Sequence, residues 1–128
     1  MYLPERTVKL LEFDKIRQML AEYARTEGAR QMARDLEPED DEVRVLALQR
    51  RTTDAKRLYS DKGMPPFGSV KDISGHCERA DKGAALTPRE LLDVGDVLRT
   101  CRGLLDYERV NRTYETVLDE VFERLIPD

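Results

Sequence analysis

The sequence predicts an all-α fold, a bundle of about five or six helices with no sheet. Three observations predict it. Apolar residues recur at spacings of three and four along most of the 128 residues, the period that gathers side chains on one helical stripe. Helix starts and stops punctuate those stripes, with Thr87-Pro88-Arg89-Glu90 the strongest of them. Strand-like alternation, internal repeats and low-complexity segments are all absent from the sequence.

Each element has its own justification. Phe13, Ile16, Leu20 and Tyr23 predict a first helix over residues 7–24. Thr26 can cap a second, short helix carrying Ala29, Met32, Ala33 and Leu36, and Pro38 ends it. Asp40 or Asp41 starts a third, which runs to Lys62 and stops at Gly63. Its inner face reads Val45, Leu48, Thr52, Ala55 and Tyr59. Met64-Pro65-Pro66-Phe67-Gly68-Ser69 cannot lie inside a helix, because two prolines fix φ and remove two donors. Phe67 is expected to anchor that connection in the core. Asp72 then caps a short helix with Ile73, Cys77 and Ala80 inward, ending at Lys82-Gly83.

Thr87 and Glu90 make a capping box, with proline at the first helical position, where its missing N–H costs nothing. The helix that follows repeats Leu91, Val94, Leu98, Cys101 and Leu105, two heptads of a packing seam widened by Leu92 and Leu104. A last helix takes Tyr114, Val117, Val121 and Leu125 as its inner face. The end at Ile126-Pro127-Asp128, directly after an apolar run, reads as part of a longer polypeptide.

Composition narrows the function. Charged residues make up 38% of the chain, against about 25% in an average domain, so much of the length is solvated helix surface. A net charge of −4 opposes polyanion binding by the chain as a whole, although 22 Lys and Arg residues leave room for a local basic face. Cys77 and Cys101 do not make a disulfide framework. No secretory leader is visible, and no stretch approaches the roughly 20 apolar residues of a membrane span. A cytoplasmic protein with no membrane partner is expected.

The motifs that could carry chemistry favour structural readings. Gly63 to Gly68 has phosphate-loop spacing, but Ser69 and Val70 stand where Lys and Ser or Thr are needed. His76-Cys77-Glu78 fits half of a zinc deaminase signature and lacks the second half. Both cysteines fall on apolar faces, and no metal-ligand pair at close spacing exists. The carboxylates at Glu37, Glu39, Asp40, Asp41 and Glu42 lie where a helix starts and suit its dipole; Asp119-Glu120 is a second acidic pair. Arg50, Arg51, Lys56, Arg57, Arg99, Arg102, Arg109 and Arg112 alternate with acids, the pattern of a solvated face, and single out no nucleic-acid-binding residue. No catalytic, cofactor-binding or metal-ligating residue is assigned.

One resemblance adds to this. Leu11 to Ile16, Leu20 to Ala24, Pro65-Pro66-Phe67-Gly68, Asp72-Ile73, Arg79 to Gly83 and Leu86 to Leu92 occur in an order that resembles the N-terminal region of the type II MutS paralogues. The chain departs from that family at Ser74-Gly75-His76, where members often carry Arg-Pro and an apolar residue, which puts the length of that helix in question. The resemblance implies an N-terminal helical core and lever over residues 1–128, with no cofactor of its own. For the parent protein it implies a homodimeric ATPase using ATP and Mg, with a clamp and commonly an Smr nuclease domain downstream. It also implies branched DNA or the ribosome as the target, in suppression of recombination or rescue of collided ribosomes. Phe13, Phe67 and Phe122 do not stand in the Phe-x-Glu arrangement of mismatch-reading MutS. A free-standing helical interaction or dimerisation module is the alternative.

Overall fold

The structure, a computed structural model, describes residues 4–126. Seven helices and no strand occur among them, as the helical periodicity requires. They form two compact units that divide between Leu46 and Ala47.

In the first unit the single helix expected over residues 7–24 is two helices, α1 (Glu5–Leu10) and α2 (Phe13–Tyr23). Glu12 breaks it by adopting a left-handed conformation at φ 54°. Its N–H still closes on the Lys9 carbonyl at 3.1 Å, and its own carbonyl accepts from Lys15 at 2.9 Å to start α2. Nothing marks the break in the sequence, because neither Gly nor Pro stands there. Helix α3 (Glu27–Arg34) opens as expected, with Thr26 Oγ1 accepting from the Ala29 N–H at 3.2 Å. It ends before Leu36.

The helices α2 and α3 pack on small residues, and Ala21 and Ala33 are buried. The predicted stripe is a correction: Ile16, Leu20 and Tyr23 are exposed. The inward line of α2 runs instead through half-buried Phe13 and Arg17 to Ala21, at i, i+4 spacing.

Helix α4 (Glu42–Lys62) starts where expected, with Asp41 Oδ1 accepting from the Arg44 N–H at 2.9 Å. It stops where expected too. Gly63 takes φ 76° and donates to the Tyr59 carbonyl at 2.9 Å, a conformation that glycine adopts without a Cβ clash. From Ala47 onward α4 belongs to the second unit. Leu58 is its buried residue, whereas Leu48, Thr52, Ala55 and Tyr59 of the predicted face are exposed.

The proline connection is extended as expected, but Phe67 is exposed and does not anchor it. Pro65 is its half-buried residue, and Pro66 lies beside α6, its Cγ 3.5 Å from where a methyl group on Gly103 would stand. Helix α5 (Ser74–Asp81) follows. Asp72 accepts from the Ser74 N–H at 2.9 Å and from its hydroxyl at 2.6 Å, so it supplies the helix start although Ile73 occupies the cap position. Cys77 and Ala80, expected inward, are exposed.

Helix α6 (Pro88–Arg109) carries the capping box in full: Glu90 N–H to Thr87 Oγ1 at 3.3 Å, and Thr87 N–H to Glu90 Oε2 at 2.9 Å. Its leucine seam is the second correction. Leu91, Leu92 and Leu98 are exposed; Leu104 of the widened stripe is buried, Val94, Cys101 and Leu105 are half-buried, and Asp93 and Glu108 are buried as well. The last helix is shorter than expected. Only Asp119–Glu123 forms α7, with Tyr114 and Val117 in the turn before it.

Candidate functional site

Two clusters of charged side chains organise the second unit. The first joins α5 to α6. Asp93, 8% exposed, faces Lys71 Nζ at 3.1 Å, Arg89 Nε at 3.8 Å and His76 Nε2 at 3.8 Å. One turn earlier, Glu90 pairs with Arg79 and meets His76 Nδ1 at 3.8 Å. His76 thus stands between two carboxylates. The Lys71 hydrogen bond holds the Asp93 carboxyl below its ordinary range, and the Thr87 amide does the same for Glu90.

The second cluster lies where α4 and α6 end. Arg112, with its side chain 11% exposed, donates to both Asp119 oxygens at 2.5 and 3.0 Å and pairs with Glu108 at 2.5 Å. Asp119 also accepts from the Thr116 hydroxyl at 2.6 Å and from its amide. Lys62, Tyr107, Asp61 and Tyr114 extend the cluster along α4, with Tyr114 donating to Asp61 beneath the Arg57 guanidinium, which lies 3.6 Å from the ring centroid.

The Arg112 bonds hold the Asp119 carboxyl down to about 2, from an ordinary 3.8. A depressed carboxyl stabilises the fold above its unfolded value and loses that contribution as pH falls through its folded value. We therefore expect stability to drop between pH 4 and 2, by about 1 kcal/mol once solvent screening is allowed for. Chemical denaturation of the chain and of Asp119→Asn at pH 6 and pH 2.5 checks this. Equal acid losses in the two proteins would remove Asp119 as the cause.

The residues singled out in the sequence distribute as follows. Gly63 caps α4 and the Phe67 amide closes on the Pro65 carbonyl at 2.9 Å, so the glycine-spaced loop makes a turn and no anion cradle. Cys77 is exposed and Cys101 half-buried. Among the described residues no group of three His, Cys, Asp or Glu side chains is arranged to hold a metal ion. Glu39 accepts from the amides of Asp40 and Asp41 and pairs with Arg44 at 2.8 Å, the helix-start role expected of that acidic run. Arg57, Arg99, Arg109 and Arg112 are each engaged by a carboxylate or a ring. Arg50, Arg51, Lys56 and Arg102 have no ion pair among the described residues, but they are dispersed over two helices rather than gathered on one face.

The contacts of Lys62, Tyr107 and Tyr114 were not legible in the sequence. A lysine in the last turn of a helix and a tyrosine with a polar tip are the available signals. Their partners, 44 to 53 residues away, are not.

Two exposed faces are apolar. In the first unit Leu20, Tyr23, Ala24, Ala29, Met32 and Leu36 line an open groove of about 430 Å³. In the second, Leu91, Leu92 and Leu98 form an exposed edge on α6. No helix among the described residues is long and apolar enough to cross a membrane. Chemically, the charged clusters fasten helices to one another, and the apolar faces remain available for contact.

No family model and no solved structure matches the chain. Curated relatives do. It is 36% identical over 118 residues to endonuclease MutS2 of Clostridium beijerinckii, covering 90% of this chain and 15% of that protein. The endonuclease MutS2 of Acetivibrio thermocellus is 36% identical over 120 residues, covering 91% and 15%. That of Symbiobacterium thermophilum is 39% identical over 102 residues, covering 80% and 13%. The chain therefore spans about 15% of the length of the relatives it matches.

Proposed function

The chain belongs to the endonuclease MutS2 family, and on that premise we propose that it is the non-catalytic helical core and lever region of such a protein. In this reading it is a mechanical arm. The parent, a cytoplasmic homodimer, uses ATP and Mg held by downstream domains and acts on branched DNA or on the ribosome, and this region conveys the resulting motion. Packed helices suit that task because they shift as units.

One observation carries the reading. The buried apolar side chains of the described residues are Ala21, Ala33, Leu58 and Leu104, while large aliphatics on α2, α3 and α6 stay exposed. Exposed apolar faces of that kind mark contact surfaces, here for other domains of the same polypeptide.

ATP hydrolysis and DNA cleavage assays on residues 1–128 test the proposal. Neither activity is expected, and hydrolysis that persists through purification and depends on this chain would overturn it. The exposed edge of Leu91, Leu92 and Leu98 favours a second reading, a module that dimerises by itself. Light scattering separates the two: a strictly monomeric chain removes obligate dimerisation.

A further inference from the structure

Helices α4 and α6 end at one place. Each leaves its last carbonyls without partners inside its own helix, and each end carries a partial negative charge. Two such ends brought together repel unless a cation or donors stand between them. Lys62, the last residue of α4, supplies that cation to α6. Its Nζ donates to the carbonyls of Tyr107, Glu108 and Val110 at 2.5, 3.1 and 2.7 Å. Tyr107 on α6 answers from the other side, its hydroxyl donating to the Gly63 carbonyl at the end of α4, at 2.9 Å. The Lys62 ammonium also lies 5.4 Å from the Tyr107 ring centroid. Each helix thus caps the other.

Beyond this junction the chain turns back along α4. Tyr114 donates to Asp61, and the Val117 amide donates to Asp54 Oδ2 at 2.8 Å. The contacts joining the two helix ends are hydrogen bonds and a charge, whereas Leu91, Leu92 and Leu98 of α6 are exposed.

We propose that Lys62 and Tyr107 form a reciprocal lock, so that the ends of α4 and α6 open and close together and a displacement of either helix passes to the other. The lock rests on the lever reading only for its purpose and is tested apart from it. A single ammonium serving three carbonyls makes it all-or-none: when Lys62 withdraws, α6 loses its cap and Tyr107 loses the ring contact that orients its hydroxyl.

Amide hydrogen exchange of the 128-residue chain tests the lock, using Lys62→Met and Tyr107→Phe. If each side chain were only a local cap, Lys62→Met would fray the end of α6 alone and Tyr107→Phe the end of α4 alone. The lock requires each variant to speed exchange about tenfold at both ends, residues 59–63 and 106–110, with α5 unchanged. An effect confined to one helix end, or no effect, overturns it. Should Lys62→Met fail to fold, Tyr107→Phe decides alone, since it removes one hydroxyl. ATP hydrolysis by the chain would sink the lever reading and leave the lock standing, so the two failures are distinguishable.

Discussion

Arg112→Met should destabilise the second unit by about 3 kcal/mol, one of the two largest losses expected from a single substitution here. Arg112 and Glu108 are both nearly buried, and removing the guanidinium leaves the Glu108 carboxylate with only Arg109 at 3.7 Å. Asp119 loses both of its bonds to Arg112 and keeps only Thr116. Methionine fills most of the same space, so the loss reports unpaired charge rather than a cavity. A fall in Tm of about 10 °C or more follows for a unit of this size. Adding Glu108→Gln should recover part of it, because the stranded charge is then gone. A thermal melt of Arg112→Met indistinguishable from the parent's would show that the pair contributes nothing net.

Leu58→Ala should cost about 2–4 kcal/mol. Leu58 is 3% exposed, the most buried apolar residue among those described, and among the described residues of the second unit only Leu104 shares that role. The informative comparison is Leu48→Ala in the same helix. Leu48 belongs to the face that periodicity points inward, yet it is 48% exposed, and its truncation should cost less than about 0.5 kcal/mol. Urea unfolding of the two variants decides which face of α4 is internal. Equal losses would return the inner face to the periodic stripe.

The contrast between Leu58 and Leu48 also marks where the sequence was legible. Helix limits were readable wherever they depend on neighbours a few residues apart. Thr26, Asp41, Gly63 and the Thr87–Glu90 box all act through bonds spanning three or four residues. Inner faces were read far less well. The seam of Leu91, Leu98 and Leu105 follows from spacing, but spacing only shows that a stripe exists. Which neighbour covers it is a separate question: α6 buries Leu104 of the widened stripe, leaves Leu91, Leu92 and Leu98 exposed, and turns Asp93 and Glu108 inward. The break at Glu12 escaped for a related reason: a left-handed non-glycine residue leaves no compositional mark.

The charged clusters were the least legible part. His76 lies between carboxylates contributed by α6, and Lys62 reaches carbonyls 45 to 48 residues further along. Both look like ordinary surface residues in one dimension.

By itself the sequence determined the helical class and the caps and stops, because these are written in residue type and short-range spacing, and its ordered segments carried the resemblance to the type II MutS paralogues. Only the tertiary structure decided which stripes are buried, where the break in the first helix falls and which ions pair. Those depend on the approach of segments distant along the chain, where a buried charge needs a partner supplied by another helix.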